Sequence, residues 1–151
     1  MQKFIWGRIT WYMFHTIAEK IKPEYFHIAR NVLINFIQQI SFNLPCPICA
    51  QHAKQHLARV NFNSIQSKDD FRNFVFAYHN RVNQDLGKPI ESIEILKKYE
   101  TANVDKMLEY FINVHNHESY SEQLMMRKHM KNREIKNFVN WYATNRYMFI
   151  Q

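Results

Sequence analysis

A chain of 151 residues is the size of one domain, and a 46% hydrophobic and 15% aromatic content supplies a real core, which excludes disorder over most of its length. The formal charge of +7 permits nucleic acid, an acidic partner or an acidic ligand, and equally a solvated basic face. Two glycines, Gly7 and Gly87, exclude a Gly-rich phosphate loop and with it Rossmann and P-loop readings, while two cysteines are too few for a secreted disulfide framework.

The start, MQKFIWGRITWYMFH, is no secretory signal, because Arg8 and His15 interrupt what would be its apolar stretch. No apolar run approaches the ~18–20 residues of a membrane-spanning helix. The expectation is a soluble, cytoplasmic protein that meets no membrane.

Helical periodicity runs along almost the whole chain. Residues 6–21 carry Trp6, Ile9, Met13, Ile17 and Ile21 on one stripe, and residues 24–40 carry Tyr25, Ala29, Val32, Phe36, Ile37 and Ile40, with Pro23 between them. A third helix is expected to start at the CxxC, where Pro47 suits the first turn, and to run to about Arg59. After the loop NFNSIQSKDD, Ser67 and Asp70 resemble a capping box. They open a fourth helix with Phe71, Phe74, Val75, Tyr78 and Val82 inward. Gly87 is placed to end it near Leu86, and Pro89 prevents its resumption. A shorter fifth helix is expected over 91–100, and another over 104–116 with Val104, Met107, Leu108, Phe111 and His115 on one stripe. HNHESYS breaks that helix. Ser119 and Glu122 read as a capping box for a last helix to about Tyr147. Residues 121–136 carry five Lys/Arg against two Glu, and 138–150 are dense in aromatics. No hairpin signal or internal repeat is evident. The fold class expected is all-α, a four-helix bundle core with a short fifth helix and a helical C-terminal extension over 101–151.

Both cysteines lie in LPCPICAQHAKQHL (44–57). Cys46, Cys49, His52 and His56 could be four zinc ligands, but three of them would lie along one helix, which is poor tetrahedral geometry. No metal site is expected, and the two histidines read as solvent-facing or packing residues. A CxxC at a helix N-terminus is better suited to redox chemistry. Unpaired backbone N–H groups and the helix dipole favour a thiolate there, and two sulfurs at this spacing can close a disulfide. A thioredoxin fold is excluded, since it requires strands.

Two further segments flank the CxxC. WGRITWYMFHTIA (6–18) contains G-R-x-x-W-x-x-x-H-T, filled by Gly7, Arg8, Trp11, His15 and Thr16. FAYHNRVNQDLGKP (76–89) contains H-N-x-V-N-x-x-L-G-K-P, filled by His79, Asn80, Val82, Asn83, Leu86, Gly87, Lys88 and Pro89. With the CxxC between them, residues 4–100 closely resemble the Erv/ALR family of FAD-linked sulfhydryl oxidases. The resemblance implies an FAD-binding oxidase core over 1–100, with 101–151 left for packing or a dimer interface.

It also implies FAD held by Gly7, Arg8, Trp11, His15, His79, Asn80, Val82, Asn83 and Lys88, with planar side chains against its rings and Arg8 and Lys88 at the pyrophosphate. Cys46 would be the sulfur that exchanges with a protein dithiol substrate or thioredoxin-like donor. Cys49, inside the first turn, would face both the flavin and the helix dipole. Oxygen would be the acceptor, with hydrogen peroxide released. Ala58 and Ile93 stand where the family's structural disulfide would sit, and no shuttle cysteine pair exists, so electrons must reach Cys46 directly. Such minimal forms resemble those of large DNA viruses, which implies host cytoplasm or virion as the site of action and a homodimer as the assembly. The alternative from a different class is a nucleic-acid-binding helical module on an inactive oxidase-like core, with the basic and aromatic residues of 121–151 as its surface.

Overall fold

The structure is a computed structural model and describes residues 3–117 and 120–151. These residues form six α-helices: α1 (Lys3–Lys20), α2 (Phe26–Phe42), α3 (Pro47–Ala58), α4 (Lys68–Asp85), α5 (Val104–Asn116) and α6 (Met125–Asn145). Among the described residues there is no strand. One isolated bridge, Ile21 to Phe149, ties the tail to the end of α1, with Lys22 N–H on the Met148 carbonyl at 2.8 Å and Ile150 N–H on that of Lys20 at 2.7 Å.

The local signals act where the sequence puts them. Pro23 opens a short 3₁₀ turn, Pro23–Tyr25, that leads into α2. At the start of α4 the Ser67 hydroxyl accepts the Asp70 N–H (3.0 Å) and the Asp70 carboxylate accepts the Ser67 N–H (3.2 Å). Aspartate thus does what glutamate usually does in a capping box. At its other end Gly87 has φ 69°, with Gly87 N–H on the Gln84 carbonyl (3.2 Å) and Lys88 N–H on that of Asn83 (2.8 Å). That is a Schellman motif, and it fixes where Lys88 leaves the helix.

One hydrophobic cluster draws residues from all six helices. α1 packs on α4 and α5, and α2 packs on α3 and α6. At the centre Phe36 of α2 lies 6.1 Å from Phe14 of α1, 5.7 Å from Phe111 of α5 and 4.1 Å, stacked, from Phe138 of α6. Asp105 of α5 accepts hydrogen bonds from the Tyr142 hydroxyl (2.7 Å) and Arg146 Nε (3.1 Å). Those partners, Arg146 first, hold its carboxyl below the usual range.

The short helix expected over 91–100 is present as Ile93–Thr101, a 3₁₀ helix whose only buried side chains are Leu96 and Tyr99. A spacing of three matches the 3₁₀ turn, and no residue at i+4 or i+7 anchors an α-helical stripe. Three other expectations need correction. The last helix starts at Met125, after a 3₁₀ turn Glu122–Leu124, and runs to Asn145, where a 3₁₀ turn Arg146–Met148 carries it past Tyr147 as expected; Ser119 of the expected cap lies outside the described residues. Tyr25, Val32 and Val82, expected inward, are only half-buried. Finally, the basic and aromatic end is not a continuous surface. Lys131 is fully buried and Phe138, Tyr142 and Phe149 are core residues, which leaves Tyr147 as the exposed ring of that stretch.

Candidate active site

α3 begins at the cysteines. Cys46 is its N-cap, with extended backbone (φ −96°, ψ 112°), and Pro47 takes the first helical position, where a missing N–H costs nothing. Cys46 and Cys49 are joined in a disulfide with Cα atoms 5.2 Å apart. Both are half-buried and pack against the core, while Ile48 between them is 67% exposed. The Cys49 N–H donates to Cys46 Sγ at 3.2 Å. This corrects the expectation for the helix dipole. The sulfur that receives the first-turn amide is that of Cys46, because a cap side chain accepts from the residue three positions on. His56 does not face the sulfurs; it is bonded to Asp85 at the end of α4.

The second feature is a cavity of about 210 Å³ between α1, α4 and the 3₁₀ segment. His15, His79, Asn83, Lys88, Lys98 and Tyr99 are among its walls. The rings form a continuous series. Trp11 stacks on His79 (centroids 4.2 Å apart, planes within 6°), and His15 stacks on Tyr99 (4.6 Å, 16°). His15 Nε2 and His79 Nδ1 share a hydrogen bond of 2.9 Å, so one neutral ring donates to the other. Burial, and then the charges of His79 and Lys98, push the His15 pKa down to about 3. Burial, and then Lys98 and Lys88, push that of His79 to about 4. Both imidazoles are therefore uncharged at neutral pH, and the positive charge of the cavity comes from the two lysines.

The site residues expected from sequence fall into groups. Trp11, His15, His79, Asn83 and Lys88 are brought together. Asn80 borders the cavity, but its carboxamide holds the backbone of Glu91 from both sides (Nδ2 to the carbonyl, 3.0 Å; N–H to Oδ1, 2.9 Å). It thereby fixes the loop that carries Lys88. Val82 is a half-buried packing residue. Arg8 is exposed, and Gly7 has open space where a side chain would be; neither lines the cavity. Sequence reasoning missed Lys98 and Tyr99. The spacing of Leu96 and Tyr99 was the available signal, but it marks a buried face and not a cavity wall.

A chain of contacts joins the two features. Tyr78, beside His79, lies 4.9 Å edge-on to Trp11, and Ser41 near the end of α2 partly offsets the burial that raises its hydroxyl's pKa. α2 leads into the CxxC.

An all-α scaffold with a cysteine pair joined across a helix N-terminus, beside a ring-lined and lysine-flanked cavity, defines a helical protein equipped for dithiol–disulfide chemistry. The profile of the Erv1 / Alr family matches residues 8–101, and the chain belongs to that family. It is 35% identical over 86 residues to protein 096R of Invertebrate iridescent virus 3, covering 56% of this chain and 58% of that one. It is 32% identical over 111 residues to the FAD-linked sulfhydryl oxidase of African swine fever virus (isolate Pig/Kenya/KEN-50/1950), covering 70% and 87%. It is 37% identical over 84 residues to the FAD-linked sulfhydryl oxidase ERV1 of Oryza sativa subsp. japonica, covering 56% and 43%. The chain thus spans about half the length of the iridescent virus 3 and rice proteins. No solved structure matches it significantly.

Proposed function

We propose that this chain is an FAD-dependent thiol oxidase that makes disulfides in protein substrates, working in the cytoplasm. The observation that carries the reading is the Cys46–Cys49 disulfide at the N-terminus of α3, packed against the same core as Trp11, the ring stacked on the cavity-lining His79. The names of the relatives agree with it.

FAD is supported by the donor set. Stacked planar rings suit an aromatic ring system, Lys88 and Lys98 suit phosphate charge, and uncharged imidazoles add no competing cation. The cavity lies below the ~300–1,000 Å³ that engulfs a whole ligand, so it suits one ring-bearing end of the dinucleotide. Trp11, His15, His79, Asn83 and Lys88 would hold that end, with Asn80 acting through its loop. Bound FAD would supply the two-electron acceptor that re-forms the disulfide and passes the pair to oxygen as hydrogen peroxide.

The chain's own sulfurs do the rest. A substrate thiolate attacks Cys46 Sγ, the S–S bond breaks, and Cys49 leaves as a thiolate. The second substrate thiol, deprotonated, attacks the substrate sulfur of this mixed disulfide. The substrate disulfide closes and Cys46 is expelled as a thiolate. The Cys49 N–H already directed at Cys46 Sγ stabilises that leaving group, and a better leaving group exchanges faster. With no third cysteine in the chain, the electron donor is a partner's dithiol or a thioredoxin-like protein, which meets Cys46 beside the exposed Ile48. A homodimer is part of this reading and rests on the resemblance alone.

Purification with quantified flavin, followed by dithiol-dependent oxygen uptake, tests the proposal. One FAD per chain and peroxide formation are expected. A colourless protein, or turnover that survives loss of both cysteines, would refute it.

A further inference from the structure

The link that carries the cysteines is held from outside the family-matched region. That match ends at residue 101. Yet the Tyr120 hydroxyl donates to the backbone carbonyl of Asn43 at 2.7 Å, three residues before Cys46. Asn43 is the C-cap of α2. Its N–H goes to the Ile40 carbonyl (3.3 Å) and its side-chain Nδ2 to that of Gln39 (2.8 Å). The last carbonyls of a helix have no partner within it, so one that is fixed is fixed by something else.

Here the consequence is local. Only Leu44 and Pro45 separate Asn43 from Cys46, and a residue before proline is confined to extended backbone. The link is therefore short and stiff. It is pinned by Tyr120 at one end and by the Cys46 cap on α3 at the other. The pin is itself anchored. The Lys131 ammonium, fully buried on α6, lies 4.7 Å from the centre of the Tyr120 ring. A cation against a phenol ring holds the ring in place. α6 in turn is fastened to α2 through the Phe36–Phe138 stack.

We propose that Tyr120 is a positioning residue for Cys46, and that the segment beyond residue 101 thereby forms part of the redox machinery. The function assigned to Cys46 rests on the oxidase reading; its placement by Tyr120 does not. Releasing Asn43 would let the link shift, and Cys46 Sγ would spend less time in line with the Cys49 N–H. Its thiolate would be less stabilised, and it would be a poorer leaving group.

The test uses the full chain and Tyr120→Phe, which keeps the ring and removes only the hydroxyl. Iodoacetamide labelling of Cys46 across pH, in a Cys49→Ser background that retains the backbone N–H, reads the thiolate directly. The midpoint should rise by about half a pH unit or more in Tyr120→Phe. With both cysteines present, kcat/KM for dithiothreitol should fall about fivefold, the order expected for one hydrogen bond, at unchanged flavin content. Tyr110→Phe, on the exposed side of α5, should move neither quantity. An unchanged labelling midpoint would overturn the proposal. So would a loss of helix content or flavin in step with the rate, since the hydroxyl would then hold the fold and not the sulfur. Labelling needs neither flavin nor turnover, so failure of the wild type to oxidise dithiols would sink the oxidase reading and still leave the placement tested.

Discussion

His79→Ala separates a cofactor wall from an ordinary packed histidine. In flavin-free protein the change removes the stack on Trp11, about 0.5–1.5 kcal/mol, and the hydrogen bond to His15, about 1 kcal/mol. A domain with roughly 5–15 kcal/mol of stability survives that loss. If His79 and the Trp11 it orients also face the flavin's ring system, binding loses a further stacking contribution of about 1–3 kcal/mol, which is roughly a 5- to 150-fold weaker Kd. The assay pairs flavin titration by fluorescence quenching with far-ultraviolet circular dichroism of the flavin-free protein. Weakened flavin binding at intact helix content is expected. Unchanged binding, or helix lost in proportion to flavin, would show that His79 only packs.

Cys46→Ser and Cys49→Ser should each abolish dithiol oxidation, and serine at 46 should keep the α3 cap because it is a favoured N-cap residue. If Cys49 is the sulfur nearer the flavin, Cys46→Ser alone should show a long-wavelength charge-transfer band, and the band in Cys49→Ser instead would reverse that assignment. Asn80→Ala should weaken flavin binding about 5- to 30-fold through the Lys88 loop, at unchanged helix content of the flavin-free protein, because it removes two hydrogen bonds to Glu91. Acid should destabilise the protein in a defined window. His15, His79 and His115 are held neutral, chiefly by burial, with pKa values of about 3, 4 and 3. The unfolded chain therefore binds more protons below pH ~6.5, and stability is lost as pH falls from there towards about 3. Thermal melts that hold constant across that window would contradict this.

Much of the fold was legible because its signals are local. Proline at a helix start, Ser67 with Asp70, Gly87 before Lys88-Pro89, and stripes such as Val104–Met107–Leu108–Phe111–His115 act within one or two turns. The segment 93–101 was legible as a short helix but not as a 3₁₀ one, because its buried pair, Leu96 and Tyr99, fits either helix type and only the packing decides. Lys131 belongs to the basic run 121–136, and its burial depends on how α6 lies in the fold, which no local pattern reveals. Among site residues, motif register supplied Trp11, His15, His79, Asn83 and Lys88. Register could not show that Asn80 serves a loop, that Arg8 points to solvent, or that Lys98 and Tyr99 complete the cavity from another segment. The Cys46 cap was within reach of sequence logic, since an N-cap side chain accepts from the residue three positions on.

The central claim is that the Cys46–Cys49 pair feeds electrons to a flavin in this chain. Anaerobic titration of the purified protein with dithiothreitol, followed by the flavin's visible absorption, tests it most directly. The account predicts bleaching with one dithiol per flavin in the wild type and none on the same timescale in the double Cys46→Ser, Cys49→Ser variant. Equal bleaching of both proteins, or none in the wild type, would contradict it.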